Sequence, residues 1–283
     1  MKLPKPIVFL ATALMLSSTD AYSHDGHTHA PTVNVPTEDI NLSTPWKGKK
    51  VAFLGDSMTD PKNKSTKKHY WKYLETLMGI EPHVYARSGY KWDGIYKKAV
   101  EMNEAVGDSI DAIIIWAGTN DYNHSFPIGQ FFTETTDSVN VNGTIESRKH
   151  RTFEMNDTTF TGNINRVMSY LKHNYPTKQI IIMTPIHRGY AKFNDKNVQP
   201  DENYANGQGL YVESYIDILR QAATLWAVPL IDLYSESGLF PMEQNHDRYF
   251  HHDATDRLHP NDNGHYRIAR VIQAKLNSIP PTF

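Results

Sequence analysis

Short apolar segments that alternate with helical patterns constrain the fold of this chain more than any other feature. The segments DAIIIWA and QIIIMT are continuous apolar runs rich in isoleucine. Such runs are typical of strands that are covered on both faces, as in a parallel sheet. They belong to a set of five candidate strands, at 50–55, 82–86, 111–117, 179–184 and 228–232.

The stretches between these segments have the spacing of helices. One helical face is defined by apolar residues that recur at i, i+3, i+4 and i+7, namely Ile164, Val167, Met168 and Leu171. Further helices are predicted over 210–226 and, as the last element, over 262–276. Strands that alternate with helices imply βαβ units. We therefore predict an α/β fold, a three-layer α/β/α sandwich around a parallel sheet of about five strands.

The first residues have the pattern of an export signal. Two lysines precede a short apolar run, and small residues near Ser23 offer a cleavage site. We predict a signal peptide over 1–23, a flexible lead-in over 24–48 and a single domain over 49–283. The apolar run is too short to span a bilayer. We expect an exported protein, periplasmic or extracellular, with no membrane anchor in its mature form.

The composition excludes some classes of function. Hydrophobic residues make up 39% of the 283 residues, which is enough to bury a sizeable core. The formal net charge is −2, and the chain lacks the basic stripe that binding to nucleic acid requires. There is no cysteine, so the exported protein cannot form disulfides.

Two long connections, 122–158 and 186–208, interrupt the alternation. Both follow the carboxyl ends of candidate strands, which is where ligands bind in open α/β sheets. Connections of this length in a compact domain are usually functional or disordered. Polar and aromatic side chains here and after the second strand are candidates for substrate contacts: Tyr90, Tyr122 and Arg188.

A serine at the end of the first strand is the candidate nucleophile. Ser57 needs a base within hydrogen-bonding reach, and that base needs a partner to orient it. Asp256 and His259 lie three residues apart before the last helix, and a turn-like backbone would project both to one side. Asp256 would then fix the tautomer of His259, which would take a proton from Ser57. Each piece alone also fits a structural role, such as a helix-capping serine or a surface histidine beside an aspartate.

Three backbone and side-chain donors are candidates for an oxyanion hole. Asn120 follows the third strand in the segment WAGTNDYN and carries an amide donor. Gly89 follows the second strand and can present its N–H without a side chain in the way. The backbone N–H of Ser57 is the third donor. An ester carbonyl becomes an anion during attack, so these donors would stabilise it at the shared sheet edge.

Together these fragments resemble the four sequence blocks of the SGNH, or GDSL-type, hydrolase superfamily. The matching blocks are Gly55-Asp56-Ser57, Gly89, Gly118-Thr119-Asn120-Asp121 and Asp256-Arg257-Leu258-His259. The resemblance implies a flavodoxin-like sandwich and a serine esterase that uses no metal or cofactor. It also implies a Ser57–His259–Asp256 triad, with Ser57, Gly89 and Asn120 as oxyanion donors.

The substrate is a further expectation from this resemblance. Secreted members that look like this chain often remove O-acetyl groups from polysaccharides, and we expect a carbohydrate acetylesterase acting on a small-molecule or polysaccharide ester. The alternatives within the superfamily are an arylesterase, a thioesterase or a lysophospholipase.

Two interpretations of the function outside this superfamily stay open. A metal-dependent hydrolase would use oxygen and nitrogen ligands from His246, Asp247, His251, His252, Asp253, Asp256 and His259. A separate metal site could form at His24, His27 and His29, for which a solvated tail is the simpler interpretation. A non-catalytic carbohydrate-binding protein would use aromatic side chains for stacking, but would have no need of a base aimed at a serine.

Overall fold

The computed structural model describes residues 33–283. The predicted signal peptide and the histidines at 24, 27 and 29 lie outside the described residues. Along the chain the strands and helices are β1 (Lys50–Gly55), α1 (Tyr70–Met78), β2 (Glu81–Ala86), α2 (Trp92–Val106), β3 (Ala112–Trp116), α3 (Thr119–Asn123), β4 (Phe132–Val141), β5 (Thr144–Phe153), α4 (Phe160–Asn174), β6 (Gln179–Met183), β7 (Ala191–Asn194), β8 (Asn197–Gln199), α5 (Val212–Leu225), β9 (Leu230–Ile231), α6 (Leu233–Glu236), β10 (Phe250–His252), β11 (Asp256–Pro260) and α7 (Asp262–Ser278).

A five-stranded parallel sheet forms the centre of the molecule, in the order β2–β1–β3–β6–β9. This is the order of flavodoxin-like folds, in which the second strand lies at one edge and the first is next to it. The five segments that the sequence predicts as strands are these five strands, although β9 is only two residues long. The predicted fold class is confirmed.

Helices cover both faces of the sheet because each central strand is apolar on both faces. Alternate residues of β1 and β3, such as Leu54 and Ile115, pack with α2, α4 and α5. The intervening residues, such as Phe53 and Ile114, pack with α1 and α7. The two clusters are the outer interfaces of the three-layer sandwich, and they leave the ends of the strands free for other roles.

The two long connections contain strands that the sequence does not predict. The segment 122–158 contains the hairpin β4–β5, and the segment 186–208 contains the hairpin β7–β8. The side chains of β4 and β5 are mostly exposed on both faces, so these strands lack the apolar alternation that would have revealed them. Strands β7, β8, β10 and β11 form a second, antiparallel sheet.

The described part of the predicted lead-in, 33–48, packs on the domain and is not a separate flexible segment. Trp46 is fully buried, and its indole N–H donates to the carbonyl oxygen of Leu276 at 2.9 Å. The amide of Gln273 donates to the carbonyl oxygen of Asp39 at 2.9 Å. These contacts attach the segment to helix α7.

No helix within residues 33–283 combines the length and the hydropathy needed to cross a membrane.

Candidate active site

Three neighbouring strands of the central sheet end at the candidate catalytic residues. β1 ends at Gly55, two residues before Ser57, and β2 and β3 flank β1 in the sheet. Gly89 follows β2, and Asn120 lies in the short helix α3 after β3. Because parallel strands end at one edge, the three loops meet there, as the sequence predicts.

The turn that carries Ser57 is held by close packing and by carboxylates. A Cβ at Gly55 would lie 2.3 Å from the hydroxyl of Thr59, so only glycine fits at this end of the strand. Asp56 Oδ1 accepts from the N–H of Met58 at 3.0 Å. The carboxylate of Asp60 accepts from both the N–H and the hydroxyl of Ser88 at 2.8 Å, which ties this turn to the loop of Gly89.

A serine, a histidine and an aspartate form a continuous chain of hydrogen bonds. His259 Nε2 lies 2.9 Å from Ser57 Oγ, and His259 Nδ1 lies 3.0 Å from Asp256 Oδ2. All three residues are buried, with 5–8% of their surface exposed. The structure therefore brings together the three residues that the sequence suggests as a triad, across 202 positions of the chain.

The protonation of Asp256 and the tautomer of His259 follow from the hydrogen bond between them. Burial raises the pKa of Asp256, but the hydrogen bonds and charge of His259 outweigh burial and hold that pKa below its ordinary value of 3.8. Asp256 is thus an ionised acceptor, and Nδ1 of His259 must carry the proton that joins them. Nε2 is then left as an acceptor for the hydroxyl proton of Ser57.

The backbone that presents Asp256 and His259 differs from the turn that we expected. Both residues lie in strand β11, which pairs with β7 and β10. The strand is irregular at this point, because Asp256 Oδ1 accepts from the N–H of His259 at 3.0 Å. This side-chain-to-backbone bond brings the carboxylate back toward the histidine, as in an Asx turn.

The candidate oxyanion donors belong to residues that line the same cavity as the candidate nucleophile. The N–H groups of Ser57 and Gly89 take part in no hydrogen bond within the described part of the chain, and both residues line the same cavity. Gly89 has a φ of +80° and open space beside its Cα. A side chain there would be strained and would enter the cavity.

The amide of Asn120 is already oriented by two acceptors. Its Nδ2 lies 3.0 Å from the carbonyl oxygen of Tyr90 and 3.3 Å from Asp56 Oδ2. Burial raises the pKa of Asp56 to about 6, although the N–H of Met58 and the charge of His259 oppose the rise. Asn120 lines the cavity, and a developing oxyanion would compete with the longer of its two bonds.

A solvent-accessible cavity of about 500 Å³ lies over these groups. One wall is the loop 61–68, which contributes Asn63, Lys64 and Ser65. A second wall is the β7–β8 hairpin, which contributes Lys192, Phe193, Asn197 and Gln199. The ring of Phe193 is 42% exposed and its centroid lies 5.4 Å from that of His259. Most of the residues that line the cavity therefore have polar side chains, and one aromatic ring lies beside the candidate base.

The three residues predicted as substrate contacts do not line this cavity. Arg188 is only 1% exposed and donates to Thr119 O and Gln199 Oε1. Tyr122 is 4% exposed, and Arg188 lies over its ring. The carbonyl oxygen of Tyr90 holds Asn120. Tyr122 and Arg188 are thus buried supports of the site, whereas Tyr90 is half-buried. Substrate contact by these three residues stays a prediction.

The sequence interpretation also missed several residues of the site. Asp60, which joins the first two loops, stands in the same stretch as Ser57 but was given no role. Lys64, Lys192 and Phe193 line the cavity from segments that the sequence gave no reason to place there. One sequence feature pointed to Lys192 and Phe193, namely that their segment, 186–208, follows the carboxyl end of a strand.

The histidines and aspartates between 246 and 259 have separate partners. His246 Nδ1 accepts from Phe240 N at 3.0 Å, His251 Nδ1 lies 3.0 Å from Ser65 O, and His259 faces Ser57 and Asp256. Within residues 33–283 there is no group of three or more histidines, cysteines or carboxylates placed to hold a metal ion.

Comparisons with known proteins agree with this geometry. The model of the GDSL-like lipase/acylhydrolase family matches residues 53–267, which is most of the chain. The protein therefore belongs to the GDSL-like lipase/acylhydrolase family, and this membership indicates an ester-hydrolysing enzyme. No match is found among curated proteins.

Solved structures show the same fold. A protein from Lactobacillus plantarum is 26% identical, with a TM-score of 0.63, over 82% of this chain and 98% of its own. A possible lipase from Chitinophaga pinensis is 17% identical, with a TM-score of 0.62, over 81% of this chain and 98% of its own. At 17% identity the likeness shows the fold alone.

Proposed function

We propose that this protein is a serine esterase that hydrolyses short-chain acyl esters, namely O-acetyl groups on carbohydrates. The observation that carries the proposal is the hydrogen-bonded chain Ser57–His259–Asp256 at the base of a polar cavity. A hydroxyl aimed at an imidazole nitrogen, with the ring itself oriented by a carboxylate, is the arrangement that activates a serine for attack.

In the first half of the reaction Ser57 Oγ attacks the acyl carbon while His259 Nε2 takes the hydroxyl proton. The carbonyl oxygen becomes an anion, and the N–H groups of Ser57 and Gly89 and the amide of Asn120 donate to it. His259 then gives its Nε2 proton to the alcohol oxygen, the ester bond breaks, and an acyl-serine remains. Ionised Asp256 stabilises the imidazolium that exists between these two steps.

In the second half water replaces the alcohol. His259 Nε2 takes a proton from water, whose oxygen attacks the acyl-serine, and the same donors hold the second oxyanion. His259 then returns the proton to Ser57 Oγ as the acid leaves. One ester and one water thus give one alcohol and one carboxylic acid, and the enzyme is restored.

The walls of the cavity favour a short acyl group. Within the described residues its large apolar contacts are Phe193 and Leu258. Burial of a methylene group stabilises a bound chain by about 0.8 kcal/mol, so a long acyl chain needs an extended apolar surface. An acetyl group needs only the space beside Phe193.

The remaining side chains favour a carbohydrate as the alcohol. Asn63, Asn197 and Gln199 place amide donors and acceptors around the cavity, and sugars bind through many such hydrogen bonds. The exposed ring of Phe193 can pack against a sugar face. We also propose export to the periplasm or beyond, where polysaccharides occur, on the basis of the signal pattern at 1–23.

The test is a panel of p-nitrophenyl esters from acetate to palmitate, together with acetylated xylan and acetylated pectin. We expect the highest kcat/KM for acetate, and acetate release from the polymers. Ser57→Ala should lower kcat by at least a thousandfold, while Ser65→Ala, a serine in the wall of the same cavity, should retain the ester activity of the wild type. A Ser57→Ala variant with near-normal turnover, or a preference for palmitate, would contradict the proposal.

A further inference from the structure

Two lysines give the mouth of the cavity a positive charge. Lys64, on the loop 61–68, and Lys192, on β7, both line the cavity and are both exposed. The loop carries four lysines, at 62, 64, 67 and 68, and no carboxylate. Since the whole chain has a formal net charge of −2, this basic region is a local feature.

The carboxylates near these lysines are either bonded to another side chain or exposed to solvent. Asp256 lines the cavity, but it is bonded to His259. Lys192 Nζ lies 2.9 Å from Asp195 Oδ1, whose side chain is 94% exposed, and such an exposed pair contributes little stability. Lys192 can therefore exchange this partner for a bound anion at small cost.

The four lysines of the loop are not equivalent. Lys64 has no ion pair or hydrogen bond in the described part of the chain, and it lines the cavity. Lys68 Nζ instead lies 4.4 Å from the ring centroid of Tyr73 and donates to Thr76 Oγ1, both on helix α1. Lys64 and Lys192 are thus the two lysines that line the cavity.

We propose that the substrate carries negative charges beside its acetyl ester and that Lys64 and Lys192 bind them. The inference rests on the proposed function and names its substrate class as an O-acetylated acidic polysaccharide. Lysine is a point charge without the fixed geometry of a guanidinium, so a uronic acid carboxylate and a sulfate ester present the same chemistry to it. Charge of one sign around a cleft raises the local concentration and association rate of an oppositely charged substrate.

The test compares polymers that differ only in charge. One pair is acetylated polygalacturonate and the same polymer with its carboxylates methyl-esterified. The other pair is acetylated dextran sulfate and acetylated dextran. At low salt we expect kcat/KM for acetate release to be roughly three- to tenfold higher for the charged member of at least one pair, and we expect 0.5 M NaCl to remove the preference because salt screens exposed charges.

The results distinguish a failure of the proposed function from a failure of the present inference about substrate charge. If p-nitrophenyl acetate and all polymers are inert, the proposed function fails. If p-nitrophenyl acetate is hydrolysed but neither charged polymer is preferred, only the present inference fails. A preference confined to one pair identifies the anionic group as carboxylate or sulfate.

A matched pair of variants assigns the effect to the mouth of the cavity. In the double variant Lys64→Gln, Lys192→Gln we expect the ratio of kcat/KM for charged and neutral polymer to fall to near one. The control is Lys47→Gln, Lys178→Gln, which removes the same charge shortly before β1 and β6, at the opposite edge of the sheet. A control that abolishes the ratio equally, or a cavity variant that preserves it, would show that these two lysines do not bind the substrate.

Discussion

The two hairpins that interrupt the α/β alternation differ in what they are attached to. Strands β4 and β5 are ten residues each and, in the described structure, pair only with each other. Strands β7 and β8 are four and three residues long, yet β7 pairs with β11, which carries Asp256 and His259. The longer hairpin is the more conspicuous insertion, but the shorter one forms a wall of the cavity.

The difference lies in where the polar anchors of each hairpin are attached. The base of the long hairpin is held by Asn165 of helix α4, whose amide donates to the carbonyl oxygens of Phe131 and Glu154, whereas the short hairpin is held at the sheet edge. Arg188 precedes β7 and donates to Thr119 O at 3.1 Å, at the start of helix α3, and to Gln199 Oε1 at 2.8 Å, at the end of β8. The carboxylate of Glu202 accepts from the N–H of Arg188 at 2.9 Å. An insertion of this kind becomes part of a site when its polar groups are fixed to the sheet edge, whereas a polar ribbon exposed on both faces has no such constraint.

The largest effect should come from removing the anchor. Arg188→Met leaves the carbonyl oxygen of Thr119 and Oε1 of Gln199 without their buried donor, and we expect the unfolding free energy to fall by about 3 kcal/mol and kcat/KM for p-nitrophenyl acetate to fall as the hairpin shifts. The control Arg148→Met, on the exposed strand β5, should stay within about 0.5 kcal/mol. Equal denaturant midpoints for the two variants would show that the anchor does not distinguish the hairpins.

Acid should weaken the region around the cavity wall more than the exposed hairpin. His69, which follows the loop 61–68, is 5% exposed, and its Nε2 has no hydrogen-bond partner among residues 33–283. Burial lowers its pKa to about 4. In the unfolded chain this histidine binds a proton below about pH 6.5. Because the unfolded state then holds the extra proton, stability should fall as pH decreases from about 6.5 to about 4, by up to ~3 kcal/mol.

The variant His69→Phe isolates this contribution, since it retains a ring that can stack on Trp71. We expect the wild type to lose more unfolding free energy than the variant between pH 7 and pH 4.5 in urea titrations. Asp56, whose pKa burial raises to about 6, acts in the opposite sense but is present in both proteins. If the unfolding free energies of the wild type and the variant changed with pH in parallel, His69 would be protonated in the native state.

A smaller effect is expected from the aromatic ring of the short hairpin. Phe193→Ala removes the ring beside His259, and we expect kcat/KM for acetylated xylan to fall by roughly tenfold, which corresponds to about 1.4 kcal/mol. Val198→Ala is the control, because Val198 is exposed on the same hairpin and does not line the cavity. A loss of the same size in the control would indicate a general disturbance of the hairpin.

The smallest effect is expected from shortening the long hairpin. Replacement of residues 133–152 by Asn-Gly keeps Phe132 and also Phe153, whose ring stacks on Trp226 at 4.4 Å. We expect kcat/KM for acetylated xylan within about twofold of the wild type, since surface changes away from a site have little effect. A tenfold loss on the polymer would mean that this hairpin also contacts substrate and that the contrast between the hairpins is false.

The sequence predicts the central sheet well for a physical reason. Strands β3 and β6 are buried on both faces, and this burial requires the continuous apolar runs that are visible in the sequence. The same reasoning places Ser57, Gly89 and Asn120 at one edge, where the structure has them. The hairpins escaped prediction because β4 and β5 have polar side chains on both faces, and β7 and β8 are too short to show a period.

The candidate catalytic residues could be predicted from the sequence, but the residues that form the walls of the cavity could not. Ser57, His259 and Asp256 belong to motifs whose partners are dictated by the reaction, so their convergence could be anticipated, while their roles in turnover stay a prediction. Tyr122 and Arg188 are residue types that suit a sugar-binding surface and a buried polar support equally well. The sequence does not say which side of a loop faces the cavity.

The separation of Ser57 and His259 along the chain has a consequence for biosynthesis. A nascent polypeptide made from its amino terminus lacks the imidazole until 202 further residues have been added after the serine. Truncated products that stop short of β11 therefore cannot assemble the pair, and the release of p-nitrophenol during renaturation reports the arrival of the final strand at its native place.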